Sequence, residues 1–91
     1  MKFNWDSRKA AANLTKHGVS FEEASTVFAD ELSSLIADPL HSENEARFIL
    51  LGMSISQRLL VVVHTEQDDA IRIISARRAT RNERKQYEQE A

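Results

Sequence analysis

The chain has no cysteine, one proline and two glycines in 91 residues. Without cysteine, neither a disulfide nor a thiolate metal site can brace it. With Gly18 and Gly52 as its only glycines, it has no glycine-rich loop to cradle a phosphate. No apolar run approaches the roughly 18 residues that suggest a membrane span. The start, Met1-Lys2-Phe3-Asn4-Trp5-Asp6, lacks the apolar stretch of a secretory signal. Both absences favour the cytoplasm. The three histidines, His17, His41 and His64, are scattered with no i, i+4 pair, so neither a metal nor another cofactor is expected. No nucleophile elbow is present for a Ser/His/Asp hydrolase.

The composition is ordinary for a soluble globular protein, 42% hydrophobic and 29% charged. Ninety-one residues imply one domain, 1–91, whose modest core would gain from a partner. The net charge of −2 argues weakly against a non-specific nucleic-acid binder. Its distribution says more. Glu22, Glu23, Asp30, Glu31, Asp38, Glu43 and Glu45 fill the stretch from Val19 to Ala46, which has no Lys or Arg. From Ile71 to Lys85, Arg72, Arg77, Arg78, Arg81, Arg84 and Lys85 face one acid, Glu83. A basic patch on an acidic body can still hold an anion locally.

Local signals predict an α+β fold: two N-terminal helices, a small antiparallel sheet of three to four strands, and a C-terminal helix. Asp6 is placed to cap a helix through Arg8 to Lys16, and Gly18 supplies its left-handed stop. Ser20-Phe21-Glu22-Glu23 matches a capping box, with Val19 and Ala24 as a hydrophobic staple. The second helix ends near Asp30. Strand-like runs follow at Ser34 to Ala37, stopping at Asp38-Pro39, then Ala46 to Met53, Leu59 to Glu66 and Ala70 to Arg77. Tight polar connections make hairpins of the last three. The two nearly continuous apolar runs read as central strands covered on both faces. Thr80-Arg81-Asn82-Glu83 is a second capping box, opening a polar helix to about Glu88 whose clear apolar anchor is Tyr87.

The segment Ile71 to Thr80 sets three arginines in a run that otherwise reads as buried strand. Alternate residues of a strand point to opposite faces, so Arg72 and Arg78 share a parity that Arg77 lacks. Two readings follow. One is a strand end with solvated arginines and a structural salt bridge. The other is an anion site, because a desolvated guanidinium needs a partner and phosphate is an obvious one.

Taken in order, Phe3-Asn4-Trp5-Asp6, Lys16-His17-Gly18-Val19-Ser20-Phe21-Glu22-Glu23-Ala24, Arg47 through Gly52 and Ile71 through Ala79 resemble the BrnT family of toxins from bacterial toxin–antitoxin systems. The resemblance covers almost the whole chain. It implies a fold similar to RelE-type ribonucleases and metal-free cleavage of RNA that arrests growth. It also implies a BrnA-like antitoxin with a ribbon-helix-helix DNA-binding part. The complex would be a heterotetramer of two toxins and two antitoxins, reaching operator DNA through the antitoxin.

Metal-free RNA cleavage uses the 2′-hydroxyl as nucleophile and needs cations on the phosphoryl oxygens, a base and an acid. Arg72, Arg77 and Arg47 are the candidate phosphate clamp, since guanidinium forks match phosphate oxygens. His64 and Glu66 are the candidates for proton transfer. A tight Asp68-Asp69 hairpin puts Glu66 across from Ile71 and His64 across from Ile73. That register places His64, Glu66, Ser75 and Arg77 on one face and Arg72 on the other, unless the register differs or the site spans the sheet edge. Lys16, His17, Arg78 and Tyr87 are candidates for holding substrate. Against these stand structural readings: helix-dipole cations at Lys16 and His17, a satisfied half-buried histidine at His64 and a strand-end charge at Glu66. Trp5 reads as a core anchor rather than a base stacker. The competing function is a non-catalytic binding module that acts as corepressor with a DNA-binding antitoxin.

Overall fold

The computed structural model describes residues 1–37 and 46–90. The stop expected at Asp38-Pro39 lies outside these, as do His41, Glu43 and Glu45. The elements are β1 (Lys2–Asn4), α1 (Ser7–His17), α2 (Phe21–Thr26) continuing into a 3-10 turn (Val27–Ala29), β2 (Ser34–Ala37), β3 (Arg47–Met53), β4 (Leu59–Gln67), β5 (Ala70–Arg78) and α3 (Arg81–Glu90). The sheet order is β1-β5-β4-β3-β2. The fold is α+β as expected, but the sheet has five strands rather than three to four, and it is mixed rather than purely antiparallel. The additional strand is β1, which pairs parallel with β5 from Lys2↔Ala70 to Asn4↔Arg72. Three residues are too few to display an alternating pattern. No helix among the described residues is long and apolar enough to cross a membrane.

The helix ends form as the local chemistry dictates. The Asp6 carboxylate accepts from the amides of Arg8 at 2.8 Å and Lys9 at 3.2 Å. Gly18 sits at φ 68° and its N–H donates to the Leu14 carbonyl at 2.9 Å, a left-handed stop that favours glycine. At α2 only half of the capping box forms. Ser20 Oγ accepts from the Glu23 amide at 3.0 Å, but the Glu23 carboxylate turns to Arg58 and Ser54 instead. At α3 both halves form: Glu83 N–H donates to Thr80 Oγ1 at 3.2 Å, and Thr80 N–H to Glu83 Oε1 at 2.8 Å.

Each face of the sheet has its own core. The larger lies under α1 and α2, where Phe21, Val27, Leu60, Val62 and Ile73 are fully or almost fully buried, with the stapling pair Val19 and Ala24. The smaller, Leu51, Leu59 and Val61, is covered by α3 through Tyr87. The central strands are thus covered on both faces, as their apolar runs predict. Gly52 permits the 3-10 turn to approach: a Cβ there would stand 2.8 Å from Val27 Cγ1 and 2.9 Å from Ser33 Cβ. Tyr87 anchors α3, its hydroxyl donating to Asp30 Oδ2 at 2.7 Å. Burial and the neighbouring Asp30 carboxylate push its ionisation up to about 12.

One polar side chain joins α1 to the sheet. Asn13 is buried, and its amide donates to the carbonyls of Val19 at 2.9 Å and Ala76 at 2.8 Å while accepting from the Ala76 amide at 3.1 Å. β1 reaches only Ala70, Ile71 and Arg72 of β5. The Asn13 amide therefore stands in for a strand further along that edge, satisfying both polar groups of Ala76. Replacing it leaves three backbone groups without partners. Asn13→Leu should cost about 3 kcal/mol, read from urea unfolding at neutral pH; a loss under about 1 kcal/mol would show that water replaces the amide.

Candidate active site

The β4–β5 hairpin has the register expected of a tight turn, with Glu66↔Ile71 and His64↔Ile73. The next pair is Val63↔Ser75, so Ile74 is an extra residue, a β-bulge. A one-residue slip moves every later side chain to the other face. The grouping of Arg77 and Ser75 with His64 and Glu66 is thereby overturned. Arg77 pairs with Val61, Ser75 with Val63 and Arg72 with Thr65. Arg72 and Arg77 therefore share a face, the one carrying α3, and Arg47 joins them because it pairs with Thr65. His64 and Glu66 lie on the opposite face with Leu60 and Val62.

Arg47, Thr65, Arg72 and Asn4 form one row across β3, β4, β5 and β1. Neighbouring strands are about 4.8 Å apart, so the stems of Arg47 and Arg72 rise roughly 10 Å apart with Thr65 between them. Arg72 Nη1 donates to Asn4 Oδ1 at 3.2 Å. Around it lies a polar depression of ≈ 380 Å³ lined by Asn4, Thr65, Gln67, Asp68, Ala70 and Arg72. No sequence pattern marks Asn4, Thr65 or Asp68 as a site residue. Asn4 arrives through the parallel β1 pairing, and Thr65 becomes notable only once its neighbours in the row are known. The depression on the helix face, ≈ 310 Å³, is lined by Phe28, Leu50, Glu66, Asp68 and Asp69 among others. Its three carboxylates, with no Lys or Arg among the lining residues, repel phosphate, whereas the polar depression shares only Asp68 and Ala70 with it and sets Arg72 beside them.

The remaining cations sit at the other end of β5. The Arg77 fork is bidentate on Glu83, with Nη1 to Oε1 at 2.8 Å and Nη2 to Oε2 at 2.9 Å. That pair holds the Glu83 carboxyl down at about 2, with help from the Thr80 amide. Arg78 points to the helix face, opposite Leu60. Lys16 and His17 end α1, where the helix dipole favours cations. Arg58 lies at this end too, donating to the Gly18 carbonyl at 3.1 Å and to Glu23 through Nε at 2.9 Å. The structure thus divides the candidates, with Arg47 and Arg72 at one end and Arg77, Arg78, Lys16 and His17 at the other.

His64 is fully buried rather than half-buried, boxed by Phe28 at 4.8 Å and Phe48 at 5.8 Å between ring centroids. Its Nε2 meets Glu66 Oε2 at 3.0 Å, and its Nδ1 has no hydrogen-bond partner. Glu66 is exposed at the strand end, its side chain 44% accessible. Tyr87 does not offer a ring for base stacking, because its ring is the buried anchor of α3. Trp5 packs edge-on against Phe21 at 6.0 Å, a core role as its sequence context predicts.

A profile for the family described as ribonuclease toxin, BrnT, of type II toxin–antitoxin systems matches residues 5–83. The chain belongs to the BrnT toxin family. A crystal structure of the Brucella abortus ribonuclease toxin BrnT superposes with a TM-score of 0.65 at 24% identity, over 89% of this chain and 99% of that one. At that identity the superposition speaks for the fold. No curated protein matches the sequence. Membership of a type II system implies a protein antitoxin as partner.

The Arg77–Glu83 pair carries a pH dependence. Glu83 ionises well below its ordinary 4.5 in the folded chain. Its contribution is therefore present above the unfolded value and is lost as pH falls from about 4.5 toward about 2. The pair is partly solvated, so the effect is about 1 kcal/mol after screening. Glu83→Gln should lower the urea midpoint at pH 7 and leave it unchanged near pH 2. An equal loss at both pH values would assign the effect to the cap rather than the charge.

Proposed function

We propose that this BrnT family member is a metal-independent endoribonuclease whose scissile phosphate sits over the Arg47–Thr65–Arg72 row. The observation that carries the proposal is the register that pairs Thr65 with both Arg47 and Arg72, and the bulge at Ile74 brings Arg77 to that same face. The 2′-oxygen attacks phosphorus, the bond to the 5′-oxygen breaks, and a 2′,3′-cyclic phosphate forms. Charge gathers on the non-bridging oxygens, where Arg47 and Arg72 donate from either side and the Thr65 hydroxyl donates between them. Asp68 lines the same depression and takes the 2′-hydroxyl proton, and the leaving 5′-oxygen is protonated from solvent. Glu66 and His64 back this end of the sheet from the other face. Arg77 is an outer phosphate contact that exchanges Glu83 for RNA, and Arg78, Lys16 and His17 form a second basic contact beyond it.

The partner is a BrnA-like ribbon-helix-helix antitoxin in a 2:2 heterotetramer that meets operator DNA through the antitoxin, in the cytoplasm. The whole chain acts as a single toxin domain.

Purified protein incubated with defined RNA in EDTA tests the reading. Wild type should cut and leave cyclic phosphate ends. Arg72→Ala and Arg47→Ala should each slow cleavage about 10²-fold, the usual cost of one donor to a developing oxyanion. Arg77→Ala should act mainly on KM. Folded wild type that cuts nothing yet represses with its antitoxin would move the reading to a non-catalytic corepressor.

A further inference from the structure

The two edges of the sheet are protected unequally. On one side the edge is β1, three residues long and bearing Lys2, and beyond it the Asn13 amide occupies Ala76. On the other side the edge is β2, Ser-Leu-Ile-Ala. Among the described residues β2 pairs with β3 alone. It holds no lysine, proline or bulge, the devices that normally keep such an edge from pairing. Leu35 and Ile36 point to opposite faces and are 51% and 52% accessible, and Leu32 just before them is 53% accessible. Beside Ile36 an apolar groove continues over Ile49, Leu51 and Val61 to the flank of α3. A strand edge that no described residue pairs, with apolar side chains on both faces, offers main-chain hydrogen bonds for affinity and side-chain contacts for selection.

We propose that β2 is the docking edge for an extended segment of the antitoxin, which adds as a sixth strand with apolar side chains beside Leu35 and Ile36 and with lysine or arginine at its flanks. Charge selects this occupant over a second copy of the chain. The sequence from Val19 to Ala46 has seven acids and no Lys or Arg, and the exposed Glu31 stands three residues before β2. A two-fold pairing of β2 with itself brings together two copies of this acidic stretch, whereas a basic-flanked peptide meets it with opposite charge. The inference rests on the reading of this chain as a toxin with a protein antitoxin.

The experiment uses the full chain and its full-length antitoxin. Hydrogen exchange of the β2 amides, free and in complex, is combined with binding of Ile36→Lys, Leu35→Lys and, as a control, Leu14→Lys, an exposed apolar residue of α1. We expect strong protection of residues 34–37 in the complex. Affinity should fall at least about tenfold for either β2 variant, as for a central contact replaced by a charge, with no change for Leu14→Lys. Binding within about twofold of wild type by both β2 variants, or β2 amides that exchange equally fast in both states, overturns the proposal while leaving the toxin reading intact. Dimerisation of the free chain that Ile36→Lys abolishes overturns it in favour of self-pairing. Absence of any binding by wild type overturns the antitoxin reading itself.

Discussion

The buried Asn13 amide bonds Ala76 of β5 twice and Val19 once, and it holds the far end of β5 in the register that turns Arg77 to the face of Arg47 and Arg72. A bulge inserts Ile74 only two residues before Ala76, where a hairpin strand could slide back into regular pairing. Sliding would move Arg77 to the helix face and push Ala76 out of the core. The Asn13 amide opposes this by bonding both the N–H and C=O of Ala76 and tying them to the Val19 carbonyl at the α1–α2 corner. The bulge distributes the arginines, and the amide keeps that distribution in place.

The same geometry sorts the charges. The helix face receives Glu66 and Asp69 at one end, Asp68 lies at the turn between the two faces, and Glu23 is spent on Arg58 at the other end. The α3 face receives Arg47, Arg72 and Arg77. A molecule with a net charge of −2 thereby gathers three arginines on one face of its sheet, and local field rather than net charge decides where an anion binds. Within that face the arginines differ. Arg77 already has an ideal carboxylate partner, whereas Arg72 has the neutral amide oxygen of Asn4. A neutral partner orients a guanidinium without cancelling its charge, which is consistent with the phosphate contact proposed for Arg72.

The sequence is legible where its chemistry is local. Asp6, Gly18, Ser20 and Thr80 announce the helix ends because capping involves residues a few positions apart. The hairpin register at Glu66↔Ile71 follows from a two-residue turn, with Asp68 at φ 57°. The illegible features are those set by distant partners. β1 is strand only because β5 lies beside it. Ile74 looks like any other strand residue, so parity alone assigns Arg77 to the wrong face. Asn13 reads as a surface residue of a polar helix, yet it is a buried clamp. Glu83 is recognisable as a cap partner, but its grip on Arg77 depends on how α3 turns back over the sheet.

That turn also explains why the α3 face is only partly covered. α3 carries one buried apolar side chain, Tyr87, held by the hydroxyl bond to Asp30 and by Arg77–Glu83 at its start. Asp30 also accepts from the Met53 and Leu32 amides, so the anchor of α3 is the same carboxylate that ties β3 to the segment entering β2. A single carboxylate thus links the helix over Arg77 to the segment leading into the exposed edge strand. Asp30 stands four residues before β2, and one hydrogen bond joins it to Tyr87. The open edge and the helix beside the arginines are therefore tied to one side chain despite lying on different elements.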